Sequence, residues 1–241
     1  MIEICCGSVA DALVASAAKA VRIELNSALE AGGLTPSIAC LQQVKAQTNL
    51  EVIAMVRPRG AGFVYSSTEQ LLMMEEAKQL LEAGADGIAF GFLDSDLSIS
   101  YEPTKRMTDL IHSYQKTAVF HRAFDQVADP HLGIKQLIAL HVDRVLTSGQ
   151  RATAMAGKEL LRELQKQYGE QIEVLAGGGI TAYNVRELRE YTGIKQIHSS
   201  CKTYCTDSST VANVSYAILD KPYQSCYLAV DYHLVRDLLD A

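Results

Sequence analysis

Eight short apolar runs follow one another along the chain, each trailed by a stretch with helical periodicity, and no other feature limits the possible folds so severely. The runs are IEICC (2–6), VRIEL (21–25), VIAMV (52–56), GIAFG (87–91), TAVFH (117–121), DRVLT (143–147), IEVLA (172–176) and KQIHS (195–199). Several are near-continuous in apolar residues, as parallel strands covered on both faces are. Ser8 with Asp11, and Ser67 with Gln70, predict capping boxes at two helix starts, and Pro103 suits the first turn of a third helix. Leu160, Leu161, Leu164 and Tyr168 form an apolar stripe that Gly169 ends; Thr181 with Asn184 opens a helix running to Tyr191, closed by Gly193. EAGADGIAFG (82–91) and LHVDRVLTSG (140–149) repeat one layout of helix end, Asp, strand and glycine, and AKAVRIELNS (18–27) is a looser copy. Repeated βα units build a parallel sheet with right-handed crossovers. Eight of them predict an α/β fold closed into a (β/α)8 TIM barrel, one domain over residues 1–200. The rival is an open doubly wound sheet, but no G-x-G-x-x-G turn follows the first strand. Residues 201–241 read as a C-terminal extension, polar and tyrosine-rich, that packs on the barrel or on another subunit and ends in a closing helix at 232–241.

The 241 residues match the roughly 250 that such a barrel commonly fills. A formal net charge of −6, without a basic run, argues against nucleic acid or an anionic membrane as the main partner. No apolar stretch reaches the length of a membrane span. Glu3 stands where a signal peptide carries positive charge, so the expected location is cytoplasmic and the six cysteines are expected as thiols.

In a barrel the active site forms where strands end and βα loops begin, so those positions are the candidates. Strand 1 offers Glu3, Cys5 and Cys6, and strand 2 offers Glu24 and Asn26. Strand 3 runs into MVRPRG (55–60), placing the fixed positive charges of Arg57 and Arg59 at its end. His121, Arg122 and Asp125 follow strand 5, Thr147, Ser148 and Gly149 end strand 6, and His198, Ser199 and Ser200 end strand 8. If Ile23 and Leu25 face the helices, alternation turns Glu24 and Asn26 into the mouth, and Glu24, Arg57, His121 and His198 form a geometrically plausible converging set. Glu24 or His121 is a candidate for moving a proton, with Asp125 or His198 orienting or assisting. Arg57 and Arg59 are candidates for holding a carboxylate or phosphate, as guanidinium does well. Gly177, Gly178 and Gly179, ahead of a helix N-terminus and with Ser148 nearby, suit an anion. The structural alternatives are a buried Glu24–Arg57 pair, a satisfied core histidine and a turn that needs positive φ. Cys5 is a candidate metal ligand toward the mouth, whereas adjacent Cys6 points to the other face. Cys201-x-x-x-Cys205 chelates only if helical, with Cys226 as a possible third ligand. The absence of CxxC and HExxH argues against zinc.

RIELNSALEAGGLTPS (22–37) and MVRPRGAGFVYS (55–66), with ADGIAFGFLDSDLSI (85–99), VFHRAFDQVADP (119–130), DRVLTSGQ (143–150), AGGGITAYNV (176–185) and IHSS (197–200), resemble the CutC family of copper homeostasis proteins over about the first 200 residues. The resemblance implies a (β/α)8 barrel, a cytoplasmic location, a homo-oligomer and Cu(I) as the bound ion, held through two cysteines. Cys5 matches the first of these. The second ends the strand-2 motif, where this chain has RIELN, so Asn26, a poor Cu(I) ligand, stands in its place. Gly7 stands where the family usually carries an acidic residue. Two functions remain open: copper handling, and an isomerase, aldolase or lyase acting on a small anionic or phosphorylated metabolite.

Overall fold

The computed structural model describes residues 1–211 and 218–241. Eight parallel strands close into a barrel in chain order: β1 (Ile2–Cys6), β2 (Arg22–Leu25), β3 (Glu51–Met55), β4 (Gly87–Phe90), β5 (Thr117–Phe120), β6 (Arg144–Thr147), β7 (Glu173–Gly177) and β8 (Gln196–Ser199). Each coincides with one of the apolar runs. The helices α1 (Val9–Ala17), α2 (Ile38–Gln47), α3 (Ser67–Glu82), α4 (Tyr101–Ser113), α5 (Pro130–Ala139), α6 (Lys158–Tyr168) and α7 (Val185–Thr192) alternate with the strands. The main core lies between strands and helices, where Ile4, Ile23, Val52, Ile88 and Val145 are buried. A second, smaller apolar cluster of Ile53, Met55, Ala89 and Val119 fills one side of the barrel interior. The other side of the interior is polar, and it carries the site described below.

The local signals explain most helix starts. Ser66 and Glu69 form the capping box of α3, one residue earlier than Ser67 with Gln70 suggested. At α1 the Ser8 hydroxyl accepts from the Asp11 amide, but Asp11 does not return the bond to Ser8. Its carboxylate instead accepts from Gly7 N at 2.9 Å and from Val230 N at 2.8 Å. Thr181 and Asn184 form a turn before α7 rather than its first residues: Asn184 Oδ1 accepts from Thr181 N, and the helix begins at Val185.

Beyond β8 the chain forms an antiparallel ribbon, β9 (Lys202–Thr206) with β10 (Cys226–Val230), and a last helix α8 (Tyr232–Asp240). The part of the tyrosine-rich extension at residues 212–217 lies outside the described residues. Asp11 ties β10 to the start of α1, and Arg236 Nη1 of α8 donates to Ala18 O at 3.4 Å, so the extension lies against the barrel. Asp11→Ala leaves the Gly7 and Val230 amides without their acceptor and is expected to cost about 2 kcal/mol. Faster amide exchange in β10 than in β6 of the variant is the readout.

Candidate functional site at the barrel mouth

Register builds the site directly. β1 pairs with β2 so that Cys5 stands beside Glu24, and with β8 so that Glu3 stands beside His198. Alternation then points Glu3, Cys5, Glu24 and His198 into the barrel. At the C-terminal end of the strands Cys5, Glu24 and His198 border a cavity of about 130 Å³, with Glu3 beneath them. Arg57, His121, Asn26 and the apolar side chains of Leu29, Met55, Phe63 and Leu146 complete its wall.

One wall is a chain of thiol, amide, carboxylates and imidazole. Asn26 Nδ2 donates to Glu24 Oε2 at 2.9 Å and to Cys5 Sγ at 3.5 Å, and the thiol lies 3.8 Å from Glu24 Oε2. His198 places Nε2 4.0 Å from Glu24 Oε2 and binds Glu3 Oε1 through Nδ1 at 2.9 Å. Beneath it, Glu3 is 1% exposed and meets Arg22 Nε at 2.8 Å and Arg144 Nη1 at 3.9 Å. Arg144 also bonds Glu173 at 2.7 Å.

Burial and these partners set the charges. Burial alone would raise Glu3, but the hydrogen bond and charge of His198, with Arg22 and Arg144, hold it below the usual carboxylate range. Burial alone would lower His198; the facing Glu24 and the bonds with Cys5 and Glu3 outweigh it and keep the ring well above its ordinary value. Burial pushes Glu24 up, with His198 pulling the other way and Glu3 adding to the rise. Burial also pushes the Cys5 thiol up to about 11. The pair Glu24 and His198 thus offers two titratable groups in contact, one of them charged by its surroundings.

The opposite wall behaves differently. Arg57 donates through Nη1 to the carbonyls of Ala31, Gly32 and Gly33 and through Nη2 to Ala61 O, and its guanidinium stacks 5.0 Å from the Phe63 ring centroid. It makes no ion pair with Glu24, so the buried Glu24–Arg57 pair considered from the sequence is not formed. His121 accepts from Ala123 N through Nδ1 at 3.1 Å. Its ring lies against Gly91, where any Cβ would meet Cε1 at 2.6 Å, so a glycine is needed there. Burial and the charge of Arg57 push His121 down to about 3.

The remaining candidates lie elsewhere. Arg59 points outward, bonding Glu69 and the carbonyls of Gly60, Gly62 and Val64. Asp125 accepts from Thr147 Oγ1, the Ser148 and Gln150 amides and Arg122 Nε, so it and Ser148 brace the loop after β6. Gly178 and Gly179 adopt φ of 107° and 68°, and the Gly178 carbonyl accepts from Ala154 N. Gly179 borders a separate cleft of about 180 Å³ with Ser199 and Lys202. Cys201 precedes a strand, not a helix, so the helical chelate with Cys205 is not formed. Sequence reading did not give Arg22 and Arg144 a place in the site, although each sits at an inward position of its strand. A wider cleft of about 560 Å³ opens among Lys166, Glu170, Glu173 and Lys195, and its Glu173 and Gln196 are partners of Arg144 and Arg22.

A closed (β/α)8 barrel with an ionisable cluster at the C-terminal ends of its strands has the layout of a barrel protein that binds its ligand at the mouth. Comparison with known proteins narrows the class: the CutC family matches residues 1–203. A family protein CutC from Treponema denticola is 48% identical over 214 residues, covering 89% of this chain and 86% of its own length. A solved structure from Streptococcus agalactiae, described as a copper homeostasis protein CutC, superposes with a TM-score of 0.77 at 30% identity, covering 82% of this chain and 97% of that one. The chain belongs to the CutC family. A phosphoribosyl anthranilate isomerase from Thermococcus kodakaraensis shares the fold alone, with a TM-score of 0.57 at 14% identity over 99% of this chain and 96% of that one. Among the described residues no helix is long and apolar enough to cross a membrane.

Proposed function

We propose that the barrel mouth binds a single metal ion through Cys5, Glu24 and His198, and that copper, named in a solved relative's description as a copper homeostasis protein, is the candidate. The observation that carries this reading is the convergence of one thiol, one carboxylate oxygen and one ring nitrogen within 4.8 Å of one another. The donor chemistry fits an ion of borderline softness: thiolate and imidazole suit copper, and the carboxylate favours its divalent state. A set with one thiolate does not offer the soft pair expected for Cu(I). Glu3 on Nδ1 leaves Nε2 of His198 turned toward the other two donors, the arrangement that orients a ligating histidine. When bound, the ion would supply Lewis acidity at the mouth. Cys5 and His198 give up protons on binding, so affinity rises with pH. Titration with Cu(I) under reducing conditions and with Cu(II) and Zn(II), each against a chelator of known affinity, tests the proposal. One ion per chain is expected, with the divalent ions preferred, and Cys5→Ser or His198→Gln is expected to weaken binding at least about tenfold. Unchanged affinity in Cys5→Ser overturns the site.

A second reading, an isomerase, aldolase or lyase on a small anionic or phosphorylated metabolite, is favoured by Glu24, a carboxyl raised by burial and in contact with His198. Incorporation of solvent deuterium into a small carbonyl compound, lost in Glu24→Gln, would carry it.

A further inference from the structure

The geometry points to a subsite for a small carboxylate on the wall opposite Cys5, with Arg57 Nε–H and His121 Nε2–H as its two donors. This goes beyond the metal reading and uses different residues. Arg57 is 6% exposed and His121 3% exposed, and both border the mouth cavity. Arg57 Nε and His121 Nε2 are buried and unpaired among the described residues, and the Tyr65 hydroxyl, likewise unpaired, lies beside the guanidinium. Buried polar groups are normally paired, so two orphans in one cavity are an unmet demand.

The sign of that demand follows from the partners each residue already has. His121 Nδ1 accepts a backbone N–H, so the ring proton sits on Nε2. The ring's low basicity in this burial keeps it neutral, and its free edge is a donor with no acceptor. Arg57 has only donors, and those already satisfied face carbonyl oxygens. Among the described residues no carboxylate lies within ion-pair distance of it, so a permanently charged guanidinium is buried against carbonyl dipoles and the Phe63 ring without a counter-charge. A ligand oxygen bearing negative charge answers both needs, and an organic carboxylate answers them with the right sign and size.

The two side chains line the same cavity and pack on the same aromatic ring. Both touch the Phe63 ring: the guanidinium carbon lies 5.0 Å from its centroid, and the His121 ring centroid lies 5.0 Å from it. The cavity of about 130 Å³ has room for several heavy atoms, and Leu29, Met55 and Leu146 give it an apolar lining suited to a short carbon chain. A neutral imidazole N–H is also the kind of donor that polarises a carbonyl, so a 2-oxo acid is the favoured member of the class.

Pyruvate, acetate and inorganic phosphate are the probes, titrated into chelator-treated protein so that a failed metal site leaves the result readable. In histidine 15N spectra His121 is expected as the Nε2–H tautomer throughout the neutral range, and pyruvate at millimolar concentration is expected to shift its Nε2 resonance. Arg57 also ties two loops, so Arg57→Gln tests folding as well as binding. His121→Phe keeps the ring and removes the donor, and a loss of about tenfold in pyruvate affinity is expected. An Nδ1–H tautomer, no shift with either carboxylate, a response to phosphate alone, or unchanged pyruvate affinity in His121→Phe overturns the proposal.

Discussion

Glu3→Ala is expected to destabilise the protein by about 3–5 kcal/mol, a large share of the roughly 5–15 kcal/mol by which a domain is stable. The carboxylate is 1% exposed and is the common partner of Arg22, Arg144 and His198. Removing it leaves three buried cationic groups facing one another without their shared counter-charge, and that desolvation is not recovered by packing a methyl group. Glu173 provides the internal control. It also bonds Arg144, at 2.7 Å, but its side chain is 47% exposed and water replaces it readily. Glu173→Ala is therefore expected to cost less than about 1 kcal/mol. Urea unfolding of both variants measures the contrast. Equal costs would show that Glu3 is a peripheral charge and not the hub of the interior network.

The same network shows where sequence reading succeeds and stops. Strands written as apolar runs are recognised because both their faces are covered, and a count of eight with helices between them leaves few closures other than a barrel. Within a strand, alternation gives the side a residue faces, which is why Cys5, Glu24, His121 and His198 could be named as candidates for one mouth. Alternation does not give the partner. That Cys5 stands beside Glu24, and Glu3 beside His198, is a property of register between β1 and its two neighbours. Register is fixed by closure of the ring and leaves no trace within one strand. Arg57 illustrates the limit from the other side. Its charge at a strand end suggests a ligand, but the four carbonyls that occupy its outer nitrogens belong to loops whose path the sequence does not specify. Asp125 looks catalytic in HRAFD (121–125) and is a loop brace, because short polar side chains near glycines serve turns as readily as chemistry.

Stability is expected to be greatest near neutral pH and to fall on both sides for separable reasons. His121, pushed down to about 3 from an ordinary 6.5, stays neutral in the folded chain while the unfolded chain takes up a proton. Stability therefore drops as pH falls through that window, and the full loss is on the order of 5 kcal/mol. Glu24 acts in the opposite sense: its raised value lets the folded chain bind a proton more readily above 4.5, which offsets part of the loss. Glu3, held below 4.5, adds a further loss only at lower pH, where its carboxylate is protonated and its ion pairs break. On the alkaline side the controlling group is His198 up to about 9, above which the Cys5 thiol, pushed up to about 11, adds a separate fall. The His198 value is raised, so the stabilisation it provides is complete below 6.5 and disappears as pH rises through the folded-state value. His121→Phe should flatten the profile between 6.5 and 4.5 while leaving the alkaline fall intact, and His198→Gln should do the reverse. Urea midpoints measured across this range read both limbs. Parallel profiles for wild type and His121→Phe on the acid side would mean that the buried ring is not the group refusing the proton.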